Sequence, residues 1–269
     1  MPQPIRLAIH GASGRMGRAL LALVREDRRF ELVYAVVSAG SEHDGTLVFS
    51  ELSTSMRYSH GWEAAPAMDA VVDFSGPAGL VNALAYCTAH GIALVTGTTG
   101  IDAALEARLD EATKRIPVLH AANFSLGVAV LTRLLREAAA ALPDWDLEIV
   151  EAHHGCKEDA PSGTALAFGH VAAEARGTTL AKDGVYVREG RPGARRSGSI
   201  GFAVVRGGDV VGEHTALLLG HGERVELGHR ATDRSIFARG ALEAAAWLVG
   251  HNPGSYSIDD MLQERSSKS

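Results

Sequence analysis

The chain has 269 residues, enough for one large domain or two small ones with a real buried core. Hydrophobic residues make up 46% and charged residues 22%, the balance of a soluble globular protein, and a formal net charge of -6 argues against nucleic acid as its partner. No apolar run approaches the ~20 residues of a membrane helix, and two cysteines, Cys87 and Cys156, suggest neither a disulfide framework nor a CxxC metal site.

Met1 to Pro4 leads straight into an apolar strand without the basic-then-apolar layout of a signal peptide, so a reduced, cytoplasmic protein is expected. Ile5 to His10 reads as a buried strand and Arg15 to Glu26 as a helix with Ala19, Leu20, Leu23 and Val24 inward. Strands follow at Glu31 to Val37, Asp69 to Phe74, Ile92 to Thr96 and Pro117 to Ala121, with helices at Pro77 to about His90 and Asp102 to Arg115 between them. Pro77 suits a first helical turn, where its missing N–H costs nothing. Strands alternating with helices predict an α/β fold, a doubly wound parallel sheet of Rossmann type.

The second half has another rhythm. A helix from about Leu126 to Leu142 leads to a strand at Leu147 to Ala152, and a second helix runs from Thr164 to about Ala175. Strand-like stretches at Ile200 to Arg206, Val210 to Leu219 and Arg224 to His229 are separated by the turns Gly207-Gly208 and Gly220-His221-Gly222. This pattern predicts an α+β domain with a mixed or antiparallel sheet. A last helix, Ile236 to Val249, is placed to return to the first domain, and the polar tail Gln263 to Ser269 is expected to fray.

Gly11-Ala12-Ser13-Gly14-Arg15-Met16-Gly17 lies between the first strand and the first helix. Glycines there let the backbone approach a pyrophosphate, whose charge meets free N–H groups at the helix start. The spacing is GxxGxxG rather than GxGxxG, so the strand–turn–helix context carries the dinucleotide reading. A ribose-reading acid is expected ~20 residues on, yet that place holds Val37-Ser38, with neither a carboxylate to repel a 2′-phosphate nor an arginine to bind one. Arg15 is a possible phosphate partner. Gly97-Thr98-Thr99-Gly100 and Ala121-Ala122-Asn123-Phe124 follow later strands, at the carboxyl ends where such sheets bind ligands.

The densest constellation is Glu151-Ala152-His153-His154-Gly155-Cys156-Lys157-Glu158-Asp159-Ala160-Pro161-Ser162-Gly163-Thr164. Ser162 is a natural N-cap, and the amides of Gly163 and Thr164 would point at an anion. Two imidazoles and an ammonium beside a helix start make a carboxylate pocket with proton donors. No metal is expected: adjacent histidines point apart on an extended chain, and a closed zinc site needs four ligands.

These segments resemble the dihydrodipicolinate reductase family. The matching stretches are GASGRMG at 11–17, DFSGP at 73–77, GTTG at 97–100, AANFSLGV at 121–128, EAHHGCKEDAPSGTA at 151–165 and GDVVGEHT at 208–215, in the family's order. The resemblance implies a dinucleotide-binding domain at 1–123, completed by a C-terminal helix at 235–262. It also implies a substrate-binding and oligomerisation domain at 124–234, and a homotetramer. The activity implied is reduction of 4-hydroxy-tetrahydrodipicolinate, a small cyclic dicarboxylate, to tetrahydrodipicolinate in lysine and diaminopimelate biosynthesis. His153 and Lys157 match the family's acid–base pair; His154, Ser162, Gly163 and Thr164 match substrate positions. Gly11, Ala12, Ser13, Gly14, Arg15, Met16, Gly97, Thr98, Thr99, Ala121, Ala122, Asn123 and Phe124 match cofactor stretches. The cofactor is NADPH or NADH, and Val37-Ser38, where many members carry an acid then arginine, leans it toward NADPH or dual use. Two rivals remain: another two-domain dehydrogenase, such as a homoserine dehydrogenase or a semialdehyde dehydrogenase with Cys156 as nucleophile, and a non-catalytic nucleotide sensor.

Overall fold

Short runs of wholly apolar residues make strands that only a sheet covered on both faces can bury. In a computed structural model, which describes residues 3–49 and 55–267, they fall in the order β1 (Ile5–His10), α1 (Arg15–Val24), β2 (Phe30–Val36), β3 (Ala70–Asp73), α2 (Pro77–His90), β4 (Ala93–Thr96), α3 (Ala103–Thr113) and β5 (Pro117–His120). Then come α4 (Leu126–Ala141), β6 (Asp146–His153), α5 (Gly163–Ala175), α6 (Leu180–Asp183), β7 (Gly184–Val185), β8 (Ile200–Arg206), β9 (Gly212–Leu219) and β10 (Arg224–Ala231). The chain closes with α7 (Ser235–Leu248), β11 (Gly254–Tyr256) and α8 (Ile258–Ser267). Two compact units result, residues 1–125 with 235–269, and residues 126–234.

The first unit is built on a six-stranded sheet ordered β11-β5-β4-β3-β1-β2, parallel at every pairing. Every residue of β3 and β4 is buried. Asp102 caps α3 by accepting from Leu105 N–H at 2.8 Å, and Gly91 ends α2 in the left-handed region at φ +68°. Helix α7 packs on α1, β3, β4 and β5 through small residues. At Gly240 a Cβ would lie 1.8 Å from the Phe124 carbonyl oxygen, so only glycine lets the helix approach this closely.

The second unit carries a five-stranded mixed sheet, β10-β9-β6-β8-β7, with β6 parallel to β8 and antiparallel to β9. Helices α4 and α5 cover one face, where Leu147, Ile149, Ile200 and Leu218 meet Leu131, Leu135 and Phe168. Alternation sends Val150, Ala203, Val205 and Leu217 to the opposite face, and Val205 is 54% exposed. Arg188 and Arg195 strap the loop between β7 and β8 to Glu148 of β6.

Two expectations need correcting. The tail is helical through Ser267, because the apolar pair Ile258 and Met261 buries one face of α8 and Ser257 with Asp260 caps its start; residues 268–269 lie outside the described part. The strand read from Val210 begins at Gly212, since Gly207 and Gly208 turn the chain and the Val210 carbonyl bonds instead to His154 N–H.

Candidate active site

In the parallel sheet the glycine loop, the GTTG loop and the AANF loop all leave strands at the same, carboxyl-terminal edge. Gly11 takes φ +77°, and a Cβ there would lie 2.6 Å from Phe74 O. Gly17 lies so close beneath the turn that a Cβ would reach within 2.2 Å of Gly11 O. Gly14, the N-cap of α1, supplies no side-chain cap, so the first-turn N–H groups stay available to an anion. A cleft of about 480 Å³ opens here, lined by Gly11, Ser13, Gly14, Ser38, His60 and Trp62 among others. Arg15 is exposed, Ala12 is buried and Met16 half-buried.

The other two loops offer less side chain than their sequences suggest. Thr98 is buried; its hydroxyl donates to Asp73 at 2.8 Å and accepts from Gly76 N–H at 3.2 Å. Thr99 and Ala122 are exposed, Gly97 and Ala121 half-buried, and Phe124 is 2% exposed. Asn123 Oδ1 accepts from Ser125 N–H at 2.8 Å. What this edge presents to a ligand is therefore largely backbone. Asp73, which sequence reasoning left unassigned, is fully buried and takes hydroxyl bonds from Ser75, Thr96 and Thr98, with His10 Nδ1 2.9 Å away. Burial alone would raise its pKa; His10 and the hydroxyls outweigh burial and hold it below the usual carboxylate range.

In the second unit β6 ends at His153, and the strand's period of two puts Glu151 on the same face. Glu151 is 1% exposed. Its carboxylate receives a two-pronged bond from Arg206, Nη1 to Oε2 at 2.7 Å and Nη2 to Oε1 at 2.8 Å. Ser162 N–H adds a bond at 3.0 Å, and His153 Nδ1 stands 2.6 Å from Oε2. Burial pushes the Glu151 pKa up, but Arg206, His153 and Ser162 together bring it below the usual value. An ionised carboxylate only accepts, so His153 carries its proton on Nδ1. Nε2 is left free, and Gly212 keeps that side clear: a Cβ there would lie 3.1 Å from the nitrogen.

The N-cap forms as the sequence predicts, with Ser162 Oγ accepting from Ala165 N–H at 3.2 Å. Buried His214 of β9 holds the same hydroxyl at 2.9 Å, and its ring stands 5.1 Å from that of His153. Burial, followed by the neighbouring His153, brings the His214 pKa down to about 4. Gly163 is exposed and Thr164 half-buried at the helix start. Lys157 Nζ reaches Asp159 at 2.7 Å, which lowers the Asp159 pKa. His154 turns away from the Glu151 cluster: its Nε2 lies 3.0 Å from Arg234 Nη2, and because guanidinium only donates, that nitrogen accepts. Cys156 is exposed. Among the described residues no three His, Cys, Asp or Glu side chains are grouped to hold a metal ion, and no helix is long and apolar enough to cross a membrane. Arg206 and His214 lay beyond sequence reasoning as site residues; the register that sets Arg206 beside His153 and His214 beside Glu151 brings them in.

Residues 5–124 match the family described as dihydrodipicolinate reductase, N-terminus, and residues 127–262 match dihydrodipicolinate reductase, C-terminus. The chain is 47% identical over 262 residues to the 4-hydroxy-tetrahydrodipicolinate reductase of Xanthomonas campestris pv. campestris (strain B100), covering 96% of this chain and 98% of that one. It is 45% identical, with the same coverage, to the enzyme of that name from Thiobacillus denitrificans (strain ATCC 25259 / T1). Among solved structures, the dipicolinate-bound dihydrodipicolinate reductase from Paenisporosarcina sp. TG-14 has the same fold, with a TM-score of 0.79 at 23% identity over 96% of this chain and 99% of that one. With both halves matched in order and relatives near half-identical across almost its whole length, the chain belongs to the dihydrodipicolinate reductase family.

Proposed function

We propose that this protein reduces 4-hydroxy-tetrahydrodipicolinate to tetrahydrodipicolinate with a nicotinamide cofactor, in lysine and diaminopimelate biosynthesis. The observation that carries the proposal is the run from β6 to α5, where an imidazole oriented by Glu151, an ammonium and a Ser162-capped helix start follow one another in a chain 47% identical to an enzyme of that name. The uncapped first turn of α1 and the cleft beside it fit a dinucleotide pyrophosphate. When bound, the cofactor supplies a hydride to C4 of the ring left by loss of water.

The chain's own residues do the rest. The N–H groups of Gly163 and Thr164 at the start of α5 hold one substrate carboxylate, Ser162 keeps that turn in shape, and His154, paired with Arg234, binds the substrate from the other side of the strand end. Lys157 leaves Asp159 for a substrate carboxylate, to which it offers its charge, or gives a proton to the substrate from its ammonium. His153 gives its Nε2 proton to the enamine that hydride addition leaves. Gly11 to Met16, Gly97 to Thr99 and Ala121 to Phe124 hold the cofactor mainly through backbone groups. Placing two reactants side by side is the main contribution. Residues 1–123 with 235–262 serve the nucleotide, and 124–234 the substrate and assembly.

Cofactor use is dual or leans to NADPH. Ser38 lines the cleft where an acid would repel a 2′-phosphate, and its neighbour in the cleft is His60, paired to Asp44 through Nδ1. The test is nicotinamide absorbance with freshly made substrate and NADH or NADPH in parallel. Turnover with both, or more with NADPH, is expected. A preference for NADH above ~100-fold in kcat/KM, roughly 2.7 kcal/mol, refutes the cofactor reading; no turnover with either refutes the activity.

A further inference from the structure

We propose that Glu151 and Arg206 act as a matched pair that sets the protonation of His153: the carboxylate fixes one proton on Nδ1 and leaves Nε2 to exchange with substrate, while the guanidinium moderates the carboxylate's pull on the second proton. The proposal rests on the reading of His153 as the proton donor.

The geometry leaves the carboxylate no freedom. Oε2 faces His153 Nδ1 and Arg206 Nη1, and Oε1 is taken by Arg206 Nη2 and Ser162 N–H. Arg206 is itself held, donating to the Val205 and Asp159 carbonyls. A bare carboxylate 2.6 Å from an imidazole, with the side chains 1% and 11% exposed, would grip a second proton hard and make a reluctant acid. Arg206 bonds both oxygens of that same carboxylate, at 2.7 and 2.8 Å, and its opposite charge counters the pull. What remains is orientation and tautomer.

The other groups facing this imidazole do not undo the balance. Lys157 and Asp159, on the loop after β6, pair with each other. His214 on β9, held well below its ordinary pKa, is neutral near pH 7. His229 of β10, directly across from His214, is lowered by burial. In the transfer, the Nε2–H bond breaks as a C–H bond forms on the enamine carbon. Neutral His153 is left with Nδ1–H on Glu151 and takes its next proton from water.

The pair makes an opposed prediction that mere structural support does not. Donation needs the imidazolium, so kcat falls as pH rises past an alkaline limb. Removing the negative charge in Glu151→Gln moves that limb to lower pH, and removing the positive charge in Arg206→Met moves it to higher pH, each by about one unit or more. Plateau kcat in Glu151→Gln falls about 10²–10⁴-fold, the cost of a misplaced imidazole proton. Nitrogen NMR of ¹⁵N-histidine protein, with the His153 signals identified by their loss in His153→Gln, reads the tautomer without turnover. Neutral His153 carries its proton on Nδ1 in the wild type and on Nε2 in Glu151→Gln. Limbs that move together or stay put, or an Nε2–H tautomer in the wild type, overturn the proposal. If Glu151→Gln does not fold, the Arg206→Met profile and the wild-type spectrum decide. An active His153→Gln would overturn the donor reading, whereas the tautomer result stands or falls by itself.

Discussion

Exchanging His153 for glutamine keeps polarity and much of the imidazole's volume but removes a group that trades protons near neutral pH. His153→Gln and Lys157→Ala are each expected to lower kcat by about 10²–10⁴-fold while NADPH affinity, read from nicotinamide fluorescence, stays near wild type. Retention of more than about a tenth of kcat in His153→Gln would remove it as donor. Lys157→Ala should also raise KM, His154→Ala should weaken substrate binding more than turnover, and Cys156→Ser should leave turnover intact. Buried charge gives a second prediction. Glu151 and Asp73 have depressed pKa values in the folded protein, so their stabilisation is complete above the ordinary carboxylate range and is lost as pH falls below it through their lower folded values. His214 must be neutral to stay buried, so its share begins to go as pH drops below its ordinary value of 6.5, and by about pH 4 it costs up to about 3 kcal/mol. Denaturant midpoints from pH 7 to 4 should fall steadily, and His214→Phe should flatten the upper part of that fall. At this scale the sequence discloses what is contiguous. His153, Lys157 and Ser162 stand in one run; Glu151 stands in it too but without an assigned role, because the sequence reads as strand only to Ala152 and the structure carries it to His153. Arg206 and His214 belong to other strands, and nothing local in the chain announces their pairing.

Glycines fix how elements meet. At Gly17 an added Cβ would strike backbone, 2.2 Å from Gly11 O and 2.5 Å from Ala12 Cα, whereas at Gly14 the nearest atom is 3.2 Å away. Gly17→Ala should therefore destabilise the protein by about 1–3 kcal/mol and loosen NADPH binding, because the helix must back away from the turn; Gly14→Ala should do much less. Thermal melts and fluorescence titrations check both, and equal effects would contradict the close approach. The parallel strands were legible for a related reason: burial on both faces makes them continuous apolar runs, and glycine or proline marks their ends. Elements that lean on tertiary context were not. β7 is two residues long and β11 three, and each exists only as an added edge to a neighbouring strand. Helix α8 is polar on most of its surface, so its composition read as tail.

For the molecule as a whole, the uncovered face of the second sheet bears on assembly. Val150, Ala203, Val205 and Leu217 lie on the side away from α4 and α5, in strands whose other side is core. Family resemblance and this apolar surface support a homotetramer joined through that sheet. Light scattering at micromolar concentration should give four times the chain mass, Val205→Glu should lower it, and a monomeric wild type would end the idea. The division of the chain has another consequence, for synthesis. Residues 126–234 are one unbroken stretch, while the unit around them waits for α7 and β11, which are translated after that stretch. A nascent chain thus finishes its halves in the reverse of the order in which it begins them. The early strands have one flank of their sheet bare until translation passes Tyr256, so a pause before that point should expose that flank to chaperones.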